Sequence, residues 1–252
     1  MLTRQQLQRI AQRHHIGLQA QERDYLQHLL TALLYFRSQT LAFKGGTALR
    51  MVYGGNRYSE DLDFNGPSDV AALQSLWVGV VAELGSYGIV AEIRQAWHSN
   101  VGYSFDVSFR GPLYDGHDRS KGKVRVDISL REEVVETRRE LVASEYDDVR
   151  PFVVTALTPA HLIGEKVRAL IVRGKPRDLY DLWLMHGKGW RLDREVVARK
   201  LALYDLEFTP EALKEAADGV APDWERDLRP LLPQFVAFDE AHRVIEAWLS
   251  NS

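Results

Sequence analysis

The alternation of apolar and polar positions divides the 252-residue chain into three stretches. Residues 3–13 and roughly 20–37 carry apolar side chains at helical spacing, with Leu26, Leu29, Leu30, Leu33 and Leu34 on one stripe. The short apolar run 41–44 predicts a strand. Thr47–Tyr53 predicts a helix that Gly54 and Gly55 stop, 61–64 opens a second strand, and 68–84 reads as a further helix. The period then falls to two: residues 88–95, 101–109 and 123–130 alternate as half-buried strands do, and the Gly-, Pro- and Asp-bearing segment between the last two predicts a hairpin loop. Beyond about residue 157 the strands stop. Thr158 offers an N-cap hydroxyl and Pro159 suits the first helical position, so a helix is predicted to about Arg173 with Gly174 as its stop. Helical patterns follow over 176–185, 193–205, 210–217 and 237–249. The expected fold class is α/β (α+β): a mixed sheet with flanking helices, then a mostly α-helical C-terminal domain. The expected boundaries are 1–37 for an N-terminal helical segment, 38–156 for the core and 157–252 for the C-terminal helical domain.

Composition narrows the chemistry. At 45% hydrophobic and 27% charged residues, the chain can bury a core and is not a disordered tail. It has no cysteine, which excludes disulfides and thiolate metal sites and leaves carboxylates, histidines and waters as ligands. The eight histidines are scattered without ligand spacing, and Trp183 and Trp190 read as core positions. The N-terminus is polar and charged, and apolar runs such as 29–36 are too short to span a bilayer, so a cytoplasmic protein without membrane contact is expected. A net charge of −3 argues against coating nucleic acid through bulk charge. It leaves room for two locally basic segments: Arg119, Lys121, Lys123 and Arg125, then Lys166, Arg168, Arg173, Lys175 and Arg177.

The segment 44–63, KGGTALRMVYGGNRYSEDLD, concentrates the candidate chemistry. On a strand, Asp61 and Asp63 project from one face while Leu62 and Phe64 point to the core. Two carboxylates side by side repel unless a cation lies between them, and hard oxygen ligands suit Mg²⁺ with a nucleotide phosphate completing its shell. Gly45 and Gly46 permit a tight bend and close approach of a ligand. A helix starting at Thr47 would aim free N–H groups at that turn, and the Thr47 hydroxyl, Arg57 and Ser59 add phosphate-binding groups. A lone Asp-x-Asp or Gly-Gly is an ordinary surface pair or turn; their order in strand, turn, helix and strand is the specific signal.

Together, KGGTALR and RYSEDLDF resemble the nucleotidyltransferase superfamily of the DNA polymerase β-like fold, and more narrowly the AbiEii/AbiGii toxin family. The resemblance runs from about residue 40 to 185 and includes a later Lys and an Arg-Asp-x-x-Asp. The 13 residues between Thr47 and Asp61 exceed the usual spacer, which reads as a longer helix. The resemblance implies a two-metal nucleotidyl transfer from a nucleoside triphosphate (NTP), with Mg²⁺ held by Asp61, Asp63 and a third acid that activates the attacking hydroxyl. The alternating strands offer Asp127 or Asp106 for that acid. Asp127 is preferred, because its strand matches the superfamily's and its neighbours are basic. Lys166 lies on the apolar stripe of its helix, four residues from Leu162 and from Leu170; the resemblance gives it triphosphate charge to neutralise. Asp178 and Asp181 share a helix face, with Arg177 able to pair with Asp181. Asp178 is implied to orient Lys166 or bind the nucleotide, and Asp181 to hold that network.

By the same resemblance the chain is the toxin of a bacterial toxin–antitoxin or phage-defence pair. Its partners would be an NTP, a cognate antitoxin and tRNA, whose 3′ end would be modified, with both basic segments guiding the acceptor stem. A protein hydroxyl or a small molecule as acceptor, or a non-catalytic nucleotide-binding module, are the alternatives.

Overall fold

The structure, a computed structural model, describes residues 1–132 and 136–250. Residues 133–135 of the expected core and 251–252 of the expected C-terminal domain lie outside the described residues. The chain divides into two compact units, Met1–Ala156 and Leu157–Ser252.

The first unit runs α1 (Arg4–Arg13), α2 (Leu18–Arg37), β1 (Ala42–Lys44), α3 (Gly45–Met51), β2 (Asp61–Asn65), α4 (Val70–Glu83), β3 (Val90–Ser99), β4 (Gly102–Arg110), β5 (Gly122–Ser129), β6 (Thr137–Val142) and β7 (Phe152–Leu157). The strands form one seven-stranded sheet in the order β3-β4-β5-β2-β1-β7-β6. β2 pairs antiparallel with β1 and parallel with β5, and β1 pairs parallel with β7, so the sheet is mixed. The period-two strands bury their apolar set as patterned: Leu62, Phe64, Val124, Val126, Phe105 and Val107 are closed to solvent. The segment 1–37 is not set apart from this unit: α1 and α2 contribute Leu7, Tyr25, Leu26, Leu29 and Leu30 to the same core.

Val70–Tyr87 has the length and mean hydropathy of a membrane-crossing helix, at odds with the expectation that every apolar run is too short. In the fold its apolar face covers the sheet, with Trp77 against Phe64 and Phe105 at ring distances of 5.8 and 5.2 Å.

Other differences have local causes. The periodicity predicts neither β6 nor β7. β6, TRRELV, is an edge strand exposed along most of its length, so it lacks an apolar alternation to read. The helix after the glycines starts two residues earlier than predicted and stops at Met51, where the Gly55 amide donates to the Leu49 carbonyl. The long spacer is therefore irregular chain over 52–60 rather than a longer helix, pinned by buried Arg57 and Tyr58.

The second unit is helical: α5 (Pro159–Arg173), α6 (Pro176–Gly187), α7 (Arg194–Ala202), α8 (Pro210–Asp218), α9 (Trp224–Leu228) and α10 (Phe238–Ser250). Gly174 ends α5 in the left-handed conformation with φ 56°, as a C-terminal glycine stop does. Thr158 stands at the N-cap, but its hydroxyl makes no cap hydrogen bond. Trp183 and Trp190 are half-buried rather than core; Trp190 lines a surface cavity of about 710 Å³ with His186 and Trp248.

A buried polar cluster fixes α3 against α2. Asp24 is 1% exposed. It accepts from Arg50 at 2.6 Å and from the Tyr146 hydroxyl at 2.6 Å, with His28 at 3.6 Å. The Arg50 guanidinium lies over the Tyr58 ring, 3.6 Å from its centroid. Burial pushes the Asp24 carboxyl up, but His28, Arg50 and the Tyr146 hydroxyl outweigh it and hold the group below its usual value. Asp24→Ala is expected to leave Arg50 buried and uncompensated, at about 3–5 kcal/mol, read as a lower urea midpoint. Tyr146→Phe, which removes one hydrogen bond, should cost about 1–2 kcal/mol by the same measurement.

Candidate active site

Sheet register assembles the site. Lys44 on β1, Asp63 on β2, Asp127 on β5 and Ser104 on β4 lie on one row across four neighbouring strands. The row two residues away holds Asp61, Arg125, Asp106 and Arg94. Asp61, Asp63 and Asp127 share one face and are each half-buried, with Asp63 and Asp127 directly opposite on parallel strands. Burial, and then the Asp63 charge, push the Asp127 carboxyl above its usual value; Arg125, whose Nε is 3.4 Å away, only partly offsets this.

Asp106 is differently placed. It is 3% exposed and ion-paired to Lys123 at 3.3 Å and Arg125 at 3.4 Å. It faces Arg125 in the register, one row from Asp63, so its charge is already answered by two cations.

The glycine pair fits against this row. Gly45 has φ 76°, open to glycine and costly for other residues, and a Cβ there would overlap the Asp63 carboxylate. A Cβ on Gly46 would overlap the Arg57 guanidinium and come within 2.9 Å of the Ser59 hydroxyl. Arg57 and Ser59 are buried, and Arg57 donates to the Tyr58 carbonyl at 3.0 Å. The Thr47 hydroxyl, expected as a phosphate donor, is buried and turned inward: it donates to the Asp61 carbonyl at 2.5 Å. Gln27 of α2, also buried, donates to the carbonyls of Ser59 and Asp61 at 3.2 and 3.4 Å. Thr47 and Gln27 thus clamp the backbone that carries the Asp-x-Asp.

A cavity of about 750 Å³ opens beside Asp61 and Asp106, between α1, α2 and the hairpin joining β4 to β5. All four cations of the first basic segment line it.

In the second unit, Lys166 is 5% exposed, 3.1 Å from Asp178 and 2.6 Å from Asp181. Arg173 grips Asp178 with both ends of its fork at 2.8 Å. Burial acts to raise the Asp178 carboxyl, yet Lys166 and Arg173 prevail and hold it far below the usual carboxylate range. The expected lysine and the Arg-Asp-x-x-Asp carboxylates therefore meet, with the ammonium committed to both acids. Arg177 is half-buried on the same helix.

A profile of the family described as nucleotidyl transferase AbiEii toxin, type IV toxin–antitoxin system, matches residues 28–249. The chain belongs to this family. It is a nucleotidyltransferase toxin, and membership implies an NTP substrate and an antitoxin partner. Among solved structures, MenT4, a nucleotidyltransferase toxin from Mycobacterium tuberculosis, superposes with a TM-score of 0.74 at 20% identity, covering 98% of this chain and 89% of that one. A putative nucleotidyltransferase from Helicobacter pylori gives 0.64 at 19% identity, covering 94% and 95%. JHP933 from Helicobacter pylori gives 0.64 at 19%, covering 94% and 92%. At these identities the likeness shows a common fold. No curated sequence matches the chain.

The sequence pattern of this AbiEii toxin marks neither Gln27 nor Arg50 and shows Arg125 only as part of a basic segment. Arg50 is the arginine of GGTALR, and Arg125 stands two residues before Asp127. Gln27 gave no signal, because nothing in a leucine-rich helix marks the one glutamine that reaches a strand.

Two outcomes are expected. Gly45→Ala should displace Asp63 and abolish nucleotidyl transfer, with a fall in melting temperature; an unchanged melt and unchanged transfer would contradict the close approach. Because the Asp178 carboxyl titrates lower folded than unfolded, its stabilising contribution is complete above about pH 4 and is lost as pH falls toward the depressed value. Asp178→Asn should therefore destabilise by about 3–5 kcal/mol at neutral pH and remove that part of the acid-side loss, read from urea midpoints across pH.

Proposed function

We propose that the protein transfers a nucleoside monophosphate from an NTP to the 3′-terminal hydroxyl of tRNA, using Mg²⁺, and so blocks translation in the cytoplasm as part of a phage-defence pair. The observation that carries the catalytic reading is the Asp63–Asp127 register with Asp61 on the same face. These residues suit a divalent cation in their hard oxygen donors and in the like-charge crowding that raises Asp127. Among the described residues no group of three or more His, Asp or Glu side chains stands as a ready-made cage. Asp61, Asp63 and Asp127 would hold the metal, which when bound neutralises triphosphate charge and acidifies the acceptor hydroxyl.

The chain's own groups account for the rest. Gly45 and Gly46 leave room for phosphate oxygens beside Asp63. Arg57 and Ser59 back that turn, and Thr47 holds Asp61 in place instead of touching the nucleotide. Asp127, on the same face, would draw the proton from the attacking hydroxyl through the metal it helps to hold. The hydroxyl oxygen bonds to the α-phosphorus, the bond to the bridging oxygen of the β-phosphate breaks, and pyrophosphate leaves. Lys166, Asp178, Asp181 and Arg177 are assigned as the family's lysine and Arg-Asp-x-x-Asp motifs, the two carboxylates holding the ammonium in one position.

Incubation with each NTP, radiolabelled at the α-phosphate, with Mg²⁺ and total bacterial RNA tests this. Label in tRNA that falls on the order of 10³-fold in Asp61→Ala is the expected result. Label in protein alone would replace the tRNA acceptor with a polypeptide.

A further inference from the structure

The cavity beside Asp61 has an asymmetry that bears on how two substrates share one catalytic face. The glycine turn lies on the β1 side of β2, against Asp63. The cavity lies on the β4–β5 side of Asp61, and neither Gly45, Gly46, Asp63 nor Asp127 lines it. A triphosphate seated at the glycines leaves this side for the other reactant.

The cations around the cavity fall into two groups. Arg23 is paired to Glu60 at 3.1 Å, Lys121 to Asp118 at 2.9 Å, and Lys123 and Arg125 to Asp106. These pairs shape the walls. Arg4, at the start of α1, and Arg119, on the β4–β5 hairpin, are exposed, and neither has an ion-pair partner among the described residues. They reach the cavity from two different elements. Arg4 lies within electrostatic reach of Glu22, which lines the same cavity, but is held in no close ion pair. An exposed guanidinium outside a close pair is suited to bind an oxyanion in bidentate fashion. Leu18 and Leu113 add apolar lining.

We infer that this cavity is the acceptor subsite, taking the single-stranded 3′ end of a nucleic acid, with Arg4 and Arg119 binding its phosphodiesters as the terminal hydroxyl passes Asp61 toward the Asp63–Asp127 face. The inference rests on the nucleotidyl-transfer reading above and adds the location of the acceptor. A phosphodiester strand is favoured over a polypeptide because guanidiniums from two separate elements line one cavity, and a polypeptide backbone carries no charge for them to meet.

The test is binding without turnover. Fluorescence anisotropy of the full chain with a short 5′-labelled single-stranded RNA is followed across salt concentrations, beside binding of unlabelled NTPs by calorimetry. Arg4→Ala with Arg119→Ala should weaken RNA binding about tenfold and make the slope of log affinity against log salt shallower by about 1.4. NTP affinity should stay within about twofold. The double lysine variant should recover most of the RNA affinity, which a folding defect would not allow. Unchanged RNA binding in the alanine variant overturns the inference, as does a loss confined to the NTPs, which would put the triphosphate in the cavity. Preferential labelling of a polypeptide overturns it as well. Asp61→Asn should abolish transfer while still binding RNA. If it does so while RNA binding ignores Arg4 and Arg119, the subsite fails and the catalytic reading stands.

Discussion

Two carboxylates facing each other on parallel strands are the constraint on which the site depends. Asp63 and Asp127 are fixed in register by the β2–β5 ladder, and neither can move away without breaking it. Burial first, and that crowding second, raise the Asp127 carboxyl above its usual value. Much of the surrounding structure holds the strand that carries Asp61 and Asp63. The Thr47 hydroxyl and the Gln27 amide grip its first carbonyl, and the absence of side chains at positions 45 and 46 lets α3 sit against Asp63 and Arg57. Arg50, seated on Asp24, ties α3 back to the long helix of the core.

The two units treat their carboxylates in opposite ways. In the first, Asp127 is crowded by another acid and only partly answered by Arg125, so its charge is poised for a cation or a proton. In the second, Asp178 is answered twice, by Lys166 and Arg173, and its carboxyl is driven down. Burial acts to raise both carboxyls; at Asp178 two cations reverse it, and at Asp127 Arg125 does not. The Lys166 ammonium, whose removal from water would otherwise be costly, is met by both Asp178 and Asp181.

What the sequence made legible follows from what repeats in it. The period-two strands around Asp127, the Asp-x-Asp and the two glycines were readable because alternation and backbone permissiveness are local properties. The inward turn of Thr47 was not, since a hydroxyl after glycines looks the same whether it faces a ligand or a carbonyl. The glycine stop of α3 was legible, with Gly54 at φ 65° and the Gly55 amide on the Leu49 carbonyl; the helix ends at Met51, two residues short of the predicted Tyr53. β6 was missed because a polar edge strand carries no pattern. The first basic segment read as an undifferentiated charge run; only the fold separates its paired cations from Arg119 and brings Arg4, over a hundred residues earlier, to the same cavity.

The central claim is that Asp63 and Asp127, and not Asp106, complete one divalent-cation face with Asp61. Mn²⁺ binding followed by electron paramagnetic resonance, with a non-hydrolysable NTP present, tests it most directly. Wild-type protein should bind the ion, Asp63→Asn and Asp127→Asn should each weaken binding at least about tenfold, a loss of about 1.4 kcal/mol, and Asp106→Asn should bind like wild type. Binding that survives Asp127→Asn and is lost in Asp106→Asn would contradict the account and move the third acid to β4.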